Sequence, residues 1–218
     1  MKRFSITNVQ ASGLSIFFVL DFLNLLIPSN KKGYIMNVTI LNGNPKSEDI
    51  EFDNYLSELS NYLQEKNHHS VVFTLRDMNI KQCIGCFDCW VKTPGICVSK
   101  DDSPEILRAY INSDFALFAS PVIMGFTSAL LKKVQEKFLP LGHPYFEFLN
   151  GETRHIKRYE KYPPIGLLLY KNNETADEDI NIISDIYSRD AINLHTSLCF
   201  IKYLSDPIKE LENEISRI

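Results

Sequence analysis

From Met36 onward the chain alternates short, unbroken apolar runs with longer segments whose apolar residues recur every three or four positions. Met36–Asn42 (MNVTILN) is rich in β-formers and stops at Gly43. Phe52, Tyr55, Leu56, Leu59, Tyr62 and Leu63 then share one face of a helix. Ser70–Leu75 reads as a second strand. Ser103 before Pro104 predicts an N-cap and a first helical residue, leading into Ile106, Leu107, Tyr110 and Ile111. Phe115–Ala119 is an apolar run of the kind buried on both faces of a parallel sheet. A helix is expected over about 127–139, and 140–163 reads as irregular and aromatic-rich. Ile165–Tyr170 is a fourth strand, Asp177–Leu194 a long helix and Leu198–Leu204 a fifth strand. Asp206-Pro207 caps a last helix carrying Ile208, Leu211 and Ile215.

Five strands alternating with helices require right-handed crossovers, and hence a parallel sheet covered on both sides. The expected fold is an α/β three-layer sandwich of the flavodoxin-like type, with strand order 2-1-3-4-5. Such sheets bind ligands outside the carboxyl ends of their strands, where the strand order reverses, here between the first and third strands. That rule singles out two loops, Asn42–Asp49 and Ser120–Phe126.

The alternation begins only at Met36. The preceding segment has a basic start (Met1–Arg3) and a largely apolar stretch, Leu14–Ile27, which resembles a signal peptide or short anchor. Asp21 and Asn24 interrupt that stretch, it is short for a membrane span, and no small-x-small site precedes Lys31. Residues 1–35 are therefore expected to be an over-called translation start or a dispensable extension, and 36–218 the folded domain. A net charge of −4 over 218 residues gives no global attraction to nucleic acid or to an anionic membrane. A cytoplasmic location is expected.

Four of the five cysteines fall between Cys83 and Cys97, as Cys83-Ile-Gly-Cys86-Phe-Asp-Cys89 and then Cys97 after seven more residues. In a reducing compartment such a cluster points to metal, cluster or redox chemistry. Three thiols at intervals of three suit a loop around one face of an iron–sulfur cube, with a distant fourth closing it. Structural zinc more often uses two separated pairs, yet soft thiolates suit either metal. Four reduced thiols kept for packing is the plainer alternative. Cys199, in an apolar strand, is expected to be a buried small hydrophobe.

Asn42-Gly43-Asn44-Pro45-Lys46-Ser47 follows the first strand directly. Glycine permits a sharp turn there, and amides at a helix N-terminus can hold a phosphate, with Lys46 adding charge and Ser47 a hydroxyl. Glu48, Asp49, Glu51 and Asp53 crowd the same place, where they also suit the helix dipole without any ligand. After the third strand, Ser120, Pro121, Val122, Ile123, Met124 and Gly125 offer backbone amides and apolar side chains that could cradle a flat ring, or form an ordinary βα loop. Arg154-His155-Ile156-Lys157-Arg158 reads as a solvated basic face, with a nicotinamide cofactor's phosphates or a partner's acidic surface as alternatives. His68, His69, His143, His155 and His195 have no ligand-like spacing and are expected at the surface or in turns.

Together these residues resemble the iron–sulfur flavoproteins and their NAD(P)H-dependent FMN reductase relatives. The stretch CIGCFDCWVKTPGICVSKDD (Cys83–Asp102) is similar to that family's compact cysteine motif. Asn42-Gly43-Asn44-Pro45 resembles its phosphate loop, in which serine commonly replaces Asn44. Ser120-Pro121 through Gly125, with Ser128 and Leu131-Lys132, resembles the loop and helix against which the flavin packs. The acidic residues after Ser47, and the lack of an aromatic after Pro121, depart from the family pattern. The resemblance implies non-covalent FMN and a [4Fe-4S] cluster held by Cys83, Cys86, Cys89 and Cys97. It also implies a homodimer or homotetramer that brings flavin and cluster together across subunits.

The reading that follows is an electron-transfer flavoprotein, with NAD(P)H or a redox protein as donor and no general acid or base required. Two alternatives stand beside it. One is a cluster-free FMN or quinone reductase, and the other a binding module that keeps the fold, has lost FMN and carries zinc in the cysteine loop.

Overall fold

The computed structural model describes residues 34–149 and 151–218; the expectations placed on residues 1–33 lie outside them. Among the described residues eight strands and six α-helices follow one another. They are β1 (Asn37–Asn42), α1 (Ile50–Glu65), β2 (His69–Thr74), α2 (Asp88–Val91), α3 (Ser103–Ile111), β3 (Phe115–Ile123) and β4 (Phe126–Thr127). They continue with α4 (Ala129–Glu136), β5 (Gly142–Leu149), β6 (Glu152–Lys157), β7 (Ile165–Tyr170), α5 (Asp177–Asn193), β8 (Leu198–Tyr203) and α6 (Ile208–Ile215).

The main sheet runs β2-β1-β3-β7-β8, all parallel, which is the expected 2-1-3-4-5 order. Its central strand is buried on both sides, and successive side chains divide between two cores as the period of two demands. Ala116 and Phe118 join Leu41, Leu167 and Leu169 under α3, α4 and α5. Phe115, Leu117 and Ala119 join Val38, Ile40 and Leu168 under α1 and α6. In α1, Phe52, Leu56, Leu59 and Leu63 form the buried stripe, and the Asp49 carboxylate caps the helix by accepting from the Phe52 amide at 3.4 Å.

Four expectations need correction. Residues 142–157 are an antiparallel hairpin, β5 with β6, and not irregular chain. Tyr145, Phe146 and Phe148 are exposed on it, so the segment has no core face for a hydrophobic pattern to reveal. The dipeptide Asn150-Gly151 was the available signal. The third strand runs on to Ile123 and folds back, pairing Val122 with Thr127 and Ile123 with Phe126. Asp102, not Ser103, is the N-cap of α3. Cys199 is exposed, on β8, which is an edge strand of the sheet among the described residues. Among the described residues no helix is long and apolar enough to cross a membrane.

Candidate functional site

At the carboxyl edge of the sheet, the exit of β1, the exit of β3 and the start of α4 are fastened together. The Gly43 amide donates to the Ala119 carbonyl at 2.8 Å. The Ser128 hydroxyl donates to the Gly43 carbonyl at 2.6 Å, and the Ser128 amide donates to Ser120 Oγ at 2.8 Å. A Cβ on Gly43 would stand 2.9 Å from the Ala119 oxygen and 3.1 Å from Leu131 Cβ. Glycine is needed here for close approach of two backbones and a helix, and not for a positive φ.

Beyond Gly43 the chain is held by its own side chains. Asn42 Oδ1 accepts from the Asn44 amide at 2.9 Å, and Asn44 Oδ1 accepts from the Lys46 amide at 3.0 Å. Both asparagines are buried, while Pro45, Lys46 and Ser47 are exposed. Arg76, at the end of β2, clamps the loop from outside. It forms a two-pronged pair with Asp53 at 2.5 and 3.1 Å and donates to the Asn44 carbonyl at 3.3 Å. Burial works to raise the Asp53 carboxyl, but hydrogen bonds from Arg76 and Asn42 outweigh it and hold the group below the usual carboxylate range. The acidic crowding read from the sequence is thereby reduced: Asp53 is neutralised by Arg76 and Asp49 is spent on the helix cap. The exposed Lys46 ammonium and Ser47 hydroxyl remain, and they fit a phosphate group.

The second sequence-derived loop divides by side chain. Ser120 and Val122 are buried and belong to the core, whereas Ile123 is exposed and Met124 entirely so. Met124 (φ 51°) and Gly125 (φ 77°) form the two-residue turn between β3 and β4. That pair of left-handed residues suits a tight hairpin and is unusual for methionine.

The cysteine loop packs against the short turn Leu139–Leu141 that follows α4 and the base of the β5–β6 hairpin. Trp90 Nε1 donates to the Leu139 carbonyl at 2.8 Å, and its ring lies 4.8 Å from that of His155. Gly85 (φ 66°) and Phe87 (φ 57°) are both left-handed, which winds the three-residue spacings tightly into α2. Cys89 is buried, Cys83 and Cys97 are half-buried and Cys86 is exposed. Burial pushes the Cys89 thiol up, and the sulfurs of Cys97, Cys83 and Cys86 push it the same way. Among the described residues no three Cys, His, Asp or Glu side chains are gathered closely enough to hold a metal ion. The donor set fits an iron–sulfur cluster by its chemistry, four soft thiols on one loop.

Sequence reasoning missed Lys137. Its side chain is 1% exposed, pairs with the fully buried Asp101 carboxylate at 3.1 Å and reaches Cys97 Sγ at 3.7 Å. A lysine at the end of an amphipathic helix reads as a surface residue, and only the fold brings it beneath the cysteines. The basic run was also misread as a solvated face. Arg158 donates to the carbonyls of Pro140 (2.9 Å) and Gly142 (3.2 Å), closing the hairpin base. His155 and His195 are half-buried: His195 Nε2 lies 2.6 Å from the His155 carbonyl, and His155 Nδ1 lies 2.9 Å from the His143 carbonyl.

No family model matches the chain. It is 32% identical over 106 residues to an iron–sulfur flavoprotein of Methanocaldococcus jannaschii, spanning 49% of this chain and 53% of that one. It is 37% identical over 93 residues to an iron–sulfur flavoprotein of Archaeoglobus fulgidus, spanning 42% and 39%. The chain is similar to the iron–sulfur flavoproteins. It spans about half, or less, of the length of these relatives. Among solved structures, an NAD(P)H:quinone oxidoreductase from Methanothermobacter marburgensis superposes with a TM-score of 0.57 at 14% identity, over 84% of this chain and 94% of that one. An FMN-dependent NADH-azoreductase from Bacillus anthracis, in complex with FMN, gives 0.54 at 13% over 83% and 95%. At such identities the likeness is one of fold, and the fold is flavodoxin-like.

Proposed function

We propose that this chain is an FMN-dependent oxidoreductase whose flavin exchanges electrons with a [4Fe-4S] cluster on Cys83, Cys86, Cys89 and Cys97. The observation that carries the reading is the coincidence of a four-thiol loop with similarity to iron–sulfur flavoproteins on a flavodoxin-like sheet. When bound, FMN supplies hydride and single-electron chemistry and the cluster single-electron steps. The chain's own residues hold and orient these groups. Asn42–Ser47 would take the phosphate, with Lys46 and Ser47 as its side-chain donors. Ser120–Gly125 would line the ring through its backbone and the exposed Ile123 and Met124, while Pro121 fixes the entry to the turn. Lys137 places a buried cation against Cys97, which favours the negative charge that thiolate-bound iron carries. NAD(P)H or a redox protein is the donor, and association into a homodimer or homotetramer in the cytoplasm is part of the same reading.

The test is an absorption spectrum of protein purified without oxygen, with iron and sulfide assayed on the same sample. Flavin bands, broad absorption near 400 nm and about four irons per chain are expected. The variant Cys86→Ser should lose iron while keeping flavin. A second reading, a cluster-free FMN reductase, is favoured by one observation: the thiols are not gathered into a metal-binding group. Flavin without iron would establish it, and a colourless protein that refuses FMN would overturn both.

A further inference from the structure

A cavity of about 500 Å³ lies between the cysteine loop, α4, α5 and the hairpin. Its floor includes Ile165, the first residue of β7, and its wall Asn193 and Leu194, where α5 ends. In a parallel sheet these positions mark the amino-terminal edge, opposite the edge that carries Gly43 and Gly125. None of Asn42–Ser47 or Ser120–Gly125 lines this cavity, and its volume is that of a small-molecule pocket.

The walls are rings and branched side chains: Trp90, Phe118, Phe138, Ile165 and Leu194. Polar groups enter from the helices: Lys132, Gln135 and Glu136 from α4, Asp190 from α5. Tyr187 is buried behind them with its hydroxyl already engaged by Thr127 (2.9 Å) and Gln135 (3.3 Å). Asp190 is half-buried, and among the described residues its carboxylate accepts one long hydrogen bond, 3.5 Å, from Gln135 Nε2. Burial raises the Asp190 carboxyl and the charge of Lys132 works against that rise.

We infer that this cavity binds a flat, uncharged aromatic molecule bearing a hydroxyl donor, with Asp190 accepting its hydrogen bond and the rings of Trp90 and Phe138 flanking its plane. Aromatic walls favour a planar ligand. Asp190 and Glu136 oppose an anionic ligand, and Lys132 offsets part of their pull on a cationic one, so a neutral hydroxyl can use Asp190 as acceptor without adding charge to the pocket. Cys83 lines the same cavity, which sets the ligand against the cysteine loop.

The experiment is calorimetric titration of the protein as purified, flavin included, with 1-naphthol, naphthalene and 1-naphthoate. Trp90 is the chain's one tryptophan, so its emission reports the same event independently. One equivalent of 1-naphthol should bind, perturb Trp90 and bind more tightly than either analogue. Asp190→Asn should weaken naphthol about tenfold, the difference between a charged and a neutral acceptor, and leave naphthalene unchanged. Leu194→Trp should fill the cavity and abolish binding. Flavin content and far-ultraviolet circular dichroism of both variants separate a lost site from a lost fold. No heat with naphthol up to its solubility, equal affinity for naphthoate, or undiminished binding by both variants would each overturn the inference.

Discussion

The Lys137–Asp101 pair offers the sharpest test of how this fold is held together. Replacing Lys137 by Met keeps most of the side-chain volume and deletes the charge, which strands a carboxylate whose side chain is fully buried. Removing one partner of a buried pair costs about 3–5 kcal/mol. Asp101 keeps three other hydrogen bonds, from the amides of Lys81 (3.0 Å) and Ser103 (3.1 Å) and from the Ser103 hydroxyl (2.6 Å). The lower end of that range, about 3 kcal/mol, is therefore expected. Urea unfolding at pH 7 is the assay. With a slope of about 2 kcal/mol per molar, the midpoint should fall by about 1.5 M with the slope unchanged. Adding Asp101→Asn to Lys137→Met should restore part of the loss, because no unpaired charge then remains. A midpoint shift under about 0.5 M, corresponding to about 1 kcal/mol, would refute the claim that this pair is a buried electrostatic anchor.

Gly43→Ala should destabilise the domain by about 1–3 kcal/mol and lower the flavin content of purified protein, because its Cβ meets the Ala119 carbonyl and Leu131. Thermal unfolding and the flavin-to-protein absorbance ratio check it. Arg76→Met should destabilise most at neutral pH. The Asp53 carboxyl is depressed in the folded chain, so its pair with Arg76 contributes fully above the unfolded value near 3.8 and is lost as pH falls through the folded one. The gap in urea midpoint between wild type and Arg76→Met should therefore narrow between pH 6 and pH 3, and a gap that widens in acid would contradict this.

The sheet was legible because each of its strands is an apolar run bounded by turn residues, and the two-sided burial of Phe115–Ala119 leaves no choice of strand type. The switch-point loops followed from topology. The hidden charged side chains share one cause: their environment is made by residues far away in sequence. Lys137 and Asp101 are 36 positions apart and look like surface charges until α4 is packed beneath the cysteine loop. Arg158 looked solvated because its acceptors are main-chain carbonyls, which no composition reveals. The hairpin was lost because its exposed aromatic residues carry no amphipathic period, and Cys199 was misplaced because an apolar strand at a sheet edge keeps part of its length in solvent.

The hairpin between α4 and β7 is fastened at its root. Arg158 holds the carbonyls of Pro140 and Gly142, and the Tyr162 hydroxyl accepts from the Arg158 amide while donating to the Leu141 carbonyl. The Gly151 end, with open space around its Cα, takes no part in that fastening. A single cut of the backbone at Gly151 would therefore leave both legs of the hairpin in place, because the contacts that fasten them lie at the root.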